Sequence, residues 1–296
     1  MLEFRDLSIS DKPMADKALA ASDFRGSEYS FANNLAWRRL ADTKCTFYKD
    51  FYLLCAFGNS KDDISFTFPA GSGSYSDVLS EMKRTAESFG VPLRIGSVTA
   101  EQLDIFKELF PDGYTVAPNR ESSDYIYGSK DLIELPGRKY HGKRNHLARY
   151  KEQDCQFSLI TEKDLDDCIL FCTETYNSKS READSSFISE QFVLNTFFTH
   201  FGELGLQGGI IRKEGQVKAV TIGERLCSDT YCVHIEKADT SVNGIYAGIN
   251  NLFAQSCMSG YKYVNREEDL GLEGLRKAKL SYHPVFILEK YIVTFK

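Results

Sequence analysis

Residues 206–237, LQGGIIRKEGQVKAVTIGERLCSDTYCVHIEK, read as three consecutive strands. Segments 206–212 and 216–226 flank a Glu214-Gly215 turn, and 230–237 follows a short polar break, the pattern of a hairpin extended by a third strand. Side chains alternate along a strand, so 230–237 presents Thr230, Cys232, His234 and Glu236 on one face and Tyr231, Val233 and Ile235 on the other. A histidine and a glutamate inside an apolar strand are costly unless hydrogen-bonded or beside a cleft, which marks His234 and Glu236 as candidates for function.

Working outward, 156–160 is strand-like, 162–176 and 188–201 have helical spacing, and 245–259 is amphipathic with Ile245, Ile249, Leu252 and Phe253 on one side. Strand 261–265, helix 272–280 and strand 285–293 complete the second half. The first half repeats the order. Strand 3–9 leads to helices 12–22 and 31–42, a hairpin 45–57 broken at Lys49-Asp50, and strand 64–68. Helix 75–89 stops at Gly90, and strand 91–98, helix 100–110 and strand 114–117 follow. The expected architecture is α/β: two tandem domains, 1–135 and 154–296, each a mixed central sheet flanked by helices. Leu135-Pro136-Gly137 breaks the chain, and 136–153 is expected to form a basic bridging helix. A length of 296 residues suits two domains of roughly 150.

The longest apolar runs, near 53–57 and 285–288, are far shorter than the ~20 residues of a membrane-spanning helix. The N-terminus has acids early and no signal-peptide pattern, so the protein is expected to be cytoplasmic, with no integral membrane segment. Most of the eight cysteines lie in apolar segments and read as buried free thiols. There is no Cys-x-x-Cys, Cys168 and Cys172 read as core, and no metal site is expected. A net charge of −6 argues against general coating of nucleic acid, while 138–151 is locally basic with no acid, suited to a phosphate-bearing ligand.

Two stretches carry a family resemblance, KYHGKRNH at 139–146 and NREEDLGLEGLRKAKLSYHP at 265–284, and it extends back to SFANNLAW at 30–37. Together they resemble a bacterial family related to the C-terminal domain of phosphatidylglycerol lysyltransferase. The resemblance covers essentially the whole chain. It implies two tandem GNAT (acyl-CoA N-acyltransferase) domains, as in the Fem-type aminoacyltransferases. The implied activity is transfer of an acyl or aminoacyl group, from a CoA thioester or an aminoacyl-tRNA, to an amine or hydroxyl acceptor.

A GNAT domain holds its donor where two central strands diverge, with the diphosphate at the next helix N-terminus. The matching stretch is 241–246, with Asn243 and Gly244; it keeps one glycine and has Tyr246 where a small residue is usual. The same Asn243-Gly244 pair also reads as a plain turn before a helix. Lys143 and Arg144 of the basic segment are further candidates for the donor's phosphates. The resemblance implies Glu236 as general base and Tyr282 as the acid for the leaving group. His234, Arg266, Glu267, Asp269, Arg276 and Lys279 are candidates for the substrate site, the acids also reading as a solvated turn before a helix. The alternative to a transferase is a non-catalytic tandem module that binds a small metabolite or a phosphate-bearing partner, tRNA included.

Overall fold

The computed structural model describes residues 1–177 and 185–296. The chain divides into two compact units that are discontinuous in sequence. One comprises Met1–Asp124, Glu268–Leu272 and Ile287–Lys296; the other comprises Tyr125–Glu267 and Glu273–Phe286.

The first unit is built on an eight-stranded sheet. Its order is Arg5–Asp6, Thr43–Tyr48, Phe51–Ala56, Ser65–Thr67, Arg94–Thr99, Lys290–Phe295 and Tyr114–Pro118, with Ala70–Gly71 also pairing with Phe51–Ala56. Helix Tyr75–Phe89 shows how the sequence sets these elements. Ser74 accepts from the Asp77 amide at the start, Gly90 takes the left-handed conformation (φ 75°) at the end, and Val78, Leu79, Met82 and Ala86 are buried between. They join Phe51, Leu53, Phe66, Ile95 and Phe106 in one core.

Residues 285–293 were expected to be one strand of the second half. The structure splits them into Phe286–Leu288 and Lys290–Phe295, which belong to different sheets. Lys290 anchors the second piece. Its buried ammonium reaches Asp124 at 2.8 Å and Glu28 at 2.6 Å, so the strand enters the first sheet, antiparallel to both neighbours, with Val293 and Phe295 in the core.

The second unit's sheet runs Phe286–Leu288, Asp124–Gly128, Tyr263–Asn265, Thr230–Ala238, Gln216–Arg225, Gln207–Lys213 and Gln156–Leu159. The strand Asp124–Gly128 carries buried Tyr125, Ile126 and Tyr127, and it was not foreseen from the sequence. Thr230–Ala238 and Tyr263–Asn265 pair in parallel over only three positions, Thr230 with Tyr263, Tyr231 with Val264 and Cys232 with Asn265. Beyond Cys232 the regular pairing ends.

Helix Ile245–Cys257 packs beside Ile211, Ala219 and Ala238, and helix His141–Lys151 packs on it through Tyr150. The contact is close enough to exclude side chains. A Cβ on Gly244 would lie 2.1 Å from the His146 carbonyl oxygen, and one on Gly248 would lie 2.6 Å from the Tyr150 ring. Among the described residues, no helix is long and apolar enough to cross a membrane.

Candidate functional site

Facing Gln216–Arg225, the strand Thr230–Ala238 carries one extra residue. Ile222 pairs with Ile235 and Gly223 with Val233, which leaves His234 as a β-bulge. The bulge breaks the alternation expected for an ideal strand, so His234 and Glu236 do not share an environment. The His234 ring stacks on Phe197 of helix Ser185–Thr199, 5.4 Å between centroids at 17°. Glu236 instead accepts from Asn250 of helix Ile245–Cys257 at 3.1 Å.

Glu236 is the centre of the first of two clusters. Its other oxygen accepts from Arg266 Nη2 at 3.0 Å, and both side chains are nearly buried, 12% and 13% exposed. Burial by itself lowers the Arg266 pKa, but Glu236 outweighs it and keeps the guanidinium charged. The guanidinium lies 4.9 Å from the centre of the Tyr282 ring and 5.6 Å from that of Tyr127, a cation–π arrangement. Lys143 Nζ lies 3.7 Å from the same Tyr282 centroid and donates to Ser281 Oγ at 2.7 Å. Burial, reinforced by Arg266, pulls the Lys143 amine down to about 8. Burial and the nearby Glu236 hold the Tyr282 phenol well above its usual range, so it stays protonated.

Two polar atoms of this cluster are buried without a hydrogen-bond partner, Arg266 Nη1 and Asn250 Oδ1. One is a donor and the other an acceptor, and each flanks Glu236. Buried polar atoms are seldom left unsatisfied, and the exceptions need an explanation.

The second cluster forms around His234, whose side chain is 1% exposed. Its Nδ1 lies 2.8 Å from Glu267 Oε1 and 3.7 Å from Cys232 Sγ, while Nε2 lies 3.1 Å from Glu224 Oε1. The parted strands are thus linked by side chains, His234 to Glu267 and Glu236 to Arg266.

Of the residues singled out from sequence, Glu236, Arg266, Tyr282 and Lys143 are brought together. Lys279 is adjacent: its ammonium binds the Arg266 carbonyl and its own carbonyl accepts from the Tyr127 hydroxyl at 2.8 Å. His234 and Glu267 meet in the second cluster. Asp269 lies elsewhere, fully buried in the first unit, accepting from the Gly271 amide at 2.9 Å and facing Arg120 at 3.5 Å. Arg276 sits half-buried on helix Glu273–Leu280. Arg144 donates to the carbonyls of Leu135 and Gly137, satisfying the backbone after helix Ser129–Glu134. Asn243 is exposed, and Gly244, with φ 79°, is the residue pressed against His146.

Sequence reasoning missed Asn250, Tyr127 and Glu224. Asn250 and Asn251 are adjacent buried amides in the middle of a largely apolar helix, and that pair was the available signal. A cavity of about 540 Å³ lies among Asp167, Phe171, Arg212, Lys218 and Asp239. Its cations are already paired, Arg212 with Asp164 and Asp167 and Lys218 with Asp239.

Over residues 19–294 the chain matches the family described as phosphatidylglycerol lysyltransferase, C-terminal. Among solved structures, a conserved protein of unknown function from Bacteroides thetaiotaomicron VPI-5482 is 34% identical, with a TM-score of 0.94 over all of both chains. The C-terminal domain of a putative lysylphosphatidylglycerol synthetase from Agrobacterium fabrum is 13% identical, with a TM-score of 0.66 over 96% of this chain and 92% of that one. A tandem GNAT protein from the clavulanic acid biosynthesis pathway shares the fold at 7% identity, with a TM-score of 0.50 over 99% and 98% of the two chains. An uncharacterized protein of Mycoplasmoides gallisepticum is 24% identical over 179 residues; the match spans 59% of this chain and only 57% of that curated relative. The two mixed sheets flanked by helices, the parted central strands and the match over nearly the whole length lead to one conclusion: the chain belongs to the phosphatidylglycerol lysyltransferase C-terminal family and has its tandem GNAT fold.

Proposed function

We propose that the second unit transfers an aminoacyl group from an aminoacyl-tRNA ester to a hydroxyl or amine acceptor. The observation that carries this reading is the unpartnered pair beside Glu236, the Arg266 Nη1 donor and the Asn250 Oδ1 acceptor. A donor held in place by a buried ion pair suits an ester carbonyl, whose oxygen gains negative charge when attacked. An amide oxygen suits the N–H of an aminoacyl group. Glu236 takes the proton from the attacking acceptor, and the Tyr282 phenol returns one to the departing tRNA oxygen.

The choice of an aminoacyl ester over a CoA thioester is favoured by Gly244. The helix N-terminus that would take a CoA diphosphate is pressed against the carbonyl of His146. The cationic helix His141–Lys151 suits an anionic donor or acceptor, including the phospholipid that the family's description names.

The test is transfer from a panel of aminoacyl-tRNAs, and separately from acetyl-CoA, to lipid and amine acceptors. Transfer from aminoacyl-tRNA is expected, with turnover reduced about 10²-fold or more in Glu236→Gln and Arg266→Lys. Transfer from acetyl-CoA alone would refute the donor assignment, and binding with no transfer from either donor would favour a non-catalytic module.

A further inference from the structure

We propose that Cys232, His234 and Glu267 form a binding site for a single zinc ion. It is distinct from the Glu236 cluster and was not expected from the spacing of cysteines and histidines.

The partners of the two His234 ring nitrogens differ, and they decide which one can bind a metal. Nε2 faces Glu224 Oε1 at 3.1 Å, and a hydrogen on Nε2 donated to that carboxylate leaves the Nδ1 lone pair pointing at Cys232 and Glu267. A histidine that ligates a metal commonly donates its other N–H to a carboxylate, and Glu224 is placed for that role. With that tautomer, the Nδ1 lone pair and a Glu267 carboxylate oxygen lie 2.8 Å apart, and a cation held by both takes the place of the proton that otherwise bridges them.

The spacing of the donors fits. They lie 3.7 Å (Sγ to Nδ1), 4.0 Å (Sγ to Oε1) and 2.8 Å (Nδ1 to Oε1) apart. Zinc bonds of about 2.3 Å to sulfur and about 2.0–2.1 Å to nitrogen and oxygen, at tetrahedral angles, require donor separations of about 3.3–3.6 Å, so every pair is within about half an ångström. Cys232 Sγ and Glu267 Oε1 both approach Nδ1 and each other, and a metal needs that three-way convergence.

Chemistry selects the ion. A thiolate beside an imidazole and a carboxylate suits zinc and disfavours magnesium and calcium, which take oxygen ligands. Three protein ligands leave a fourth position for water or a substrate atom. Phe197, stacked on the imidazole, holds the ring's orientation. The bulge at His234 is what makes a Cys-x-His pair on one strand competent, because it departs from the regular strand spacing between them.

The test uses the full chain, produced without a metal-affinity tag, stripped with chelator and titrated with Zn²⁺ and separately with Co²⁺. One equivalent of zinc is expected to bind, and cobalt is expected to give a thiolate-to-metal charge-transfer absorption. Cys232→Ser should abolish that absorption and weaken zinc binding about tenfold or more, and Glu224→Gln should weaken it about 10–100-fold. As a check that needs no variant, zinc X-ray absorption of the wild-type chain should show one sulfur ligand among nitrogen and oxygen ligands, with the sulfur at about 2.3 Å. Absence of stoichiometric binding, a cobalt spectrum without thiolate character, or a zinc absorption spectrum without sulfur would each overturn the proposal. None of these readouts depends on transferase activity.

Discussion

Lys143 and Arg266 lie beside the same tyrosine, and each makes a different demand on its surroundings. The Lys143 amine titrates at about 8 in the folded protein against an ordinary value of 10.5. Between those values the unfolded chain binds the extra proton, so this group adds stability as pH rises through about 8 and towards 10.5. Lys143→Met should flatten that part of the stability–pH profile, as read by chemical denaturation at pH 7, 8.5 and 10. Any catalytic step that uses the neutral amine should show a rising limb near pH 8 that is absent in the same variant. Arg266 is a more severe case, because removing it leaves Glu236 buried without its cation. Arg266→Met should cost about 3–5 kcal/mol, measurable as a lower denaturant midpoint. Glu236 and Arg266 were legible as candidates because one interrupts an apolar strand and the other follows a strand end, whereas Tyr282 was marked only by the family resemblance. Asn250 stood out only as half of the Asn250-Asn251 amide pair, which does not tell which of the two faces Glu236.

Elements respond to a different kind of change. Helix Ile245–Cys257 meets helix His141–Lys151 at two glycines, and neither position has room for a methyl group. Gly244 also has φ 79°, a conformation that costs an L-residue about 1–2 kcal/mol before any clash is counted. Gly244→Ala should therefore lower the melting temperature by several degrees and loosen the basic helix, read as faster hydrogen exchange over 141–151. Most strands and helices were legible from periodicity, and helix Tyr75–Phe89 matched its expected limits because a serine cap and a terminal glycine mark both ends. The bulge at His234 was not legible. An inserted residue leaves no mark on an apolar–polar pattern, yet it gives two residues that the alternation had placed on one face different partners.

Across the whole molecule, continuity in sequence and continuity in space part company. The strand Lys290–Phe295 lies between Arg94–Thr99 and Tyr114–Pro118 and puts Val293 and Phe295 into the first unit's core. A chain ending at residue 288 should lose the cooperative melting of that unit, whereas an exposed Lys296→Ala change should leave it intact; calorimetry on both distinguishes the role of the strand from that of the terminus. Periodicity read 285–293 as a strand but could not reveal a switch of sheet. The cause is the burial of Lys290 among acids far away in the sequence, Glu28 and Asp124.

That late strand also sets a schedule for synthesis. The first unit's edges at Arg94–Thr99 and Tyr114–Pro118 leave the ribosome long before the strand that joins them. At about 5–20 residues per second, the roughly 170 residues in between delay its arrival by roughly 10–30 s. Throughout that interval the nascent chain displays two unpaired strand edges beside an incomplete core, a state that invites pairing with other chains. A chaperone that shields residues 94–118 on the ribosome should raise the soluble yield of this protein more than one that acts after release.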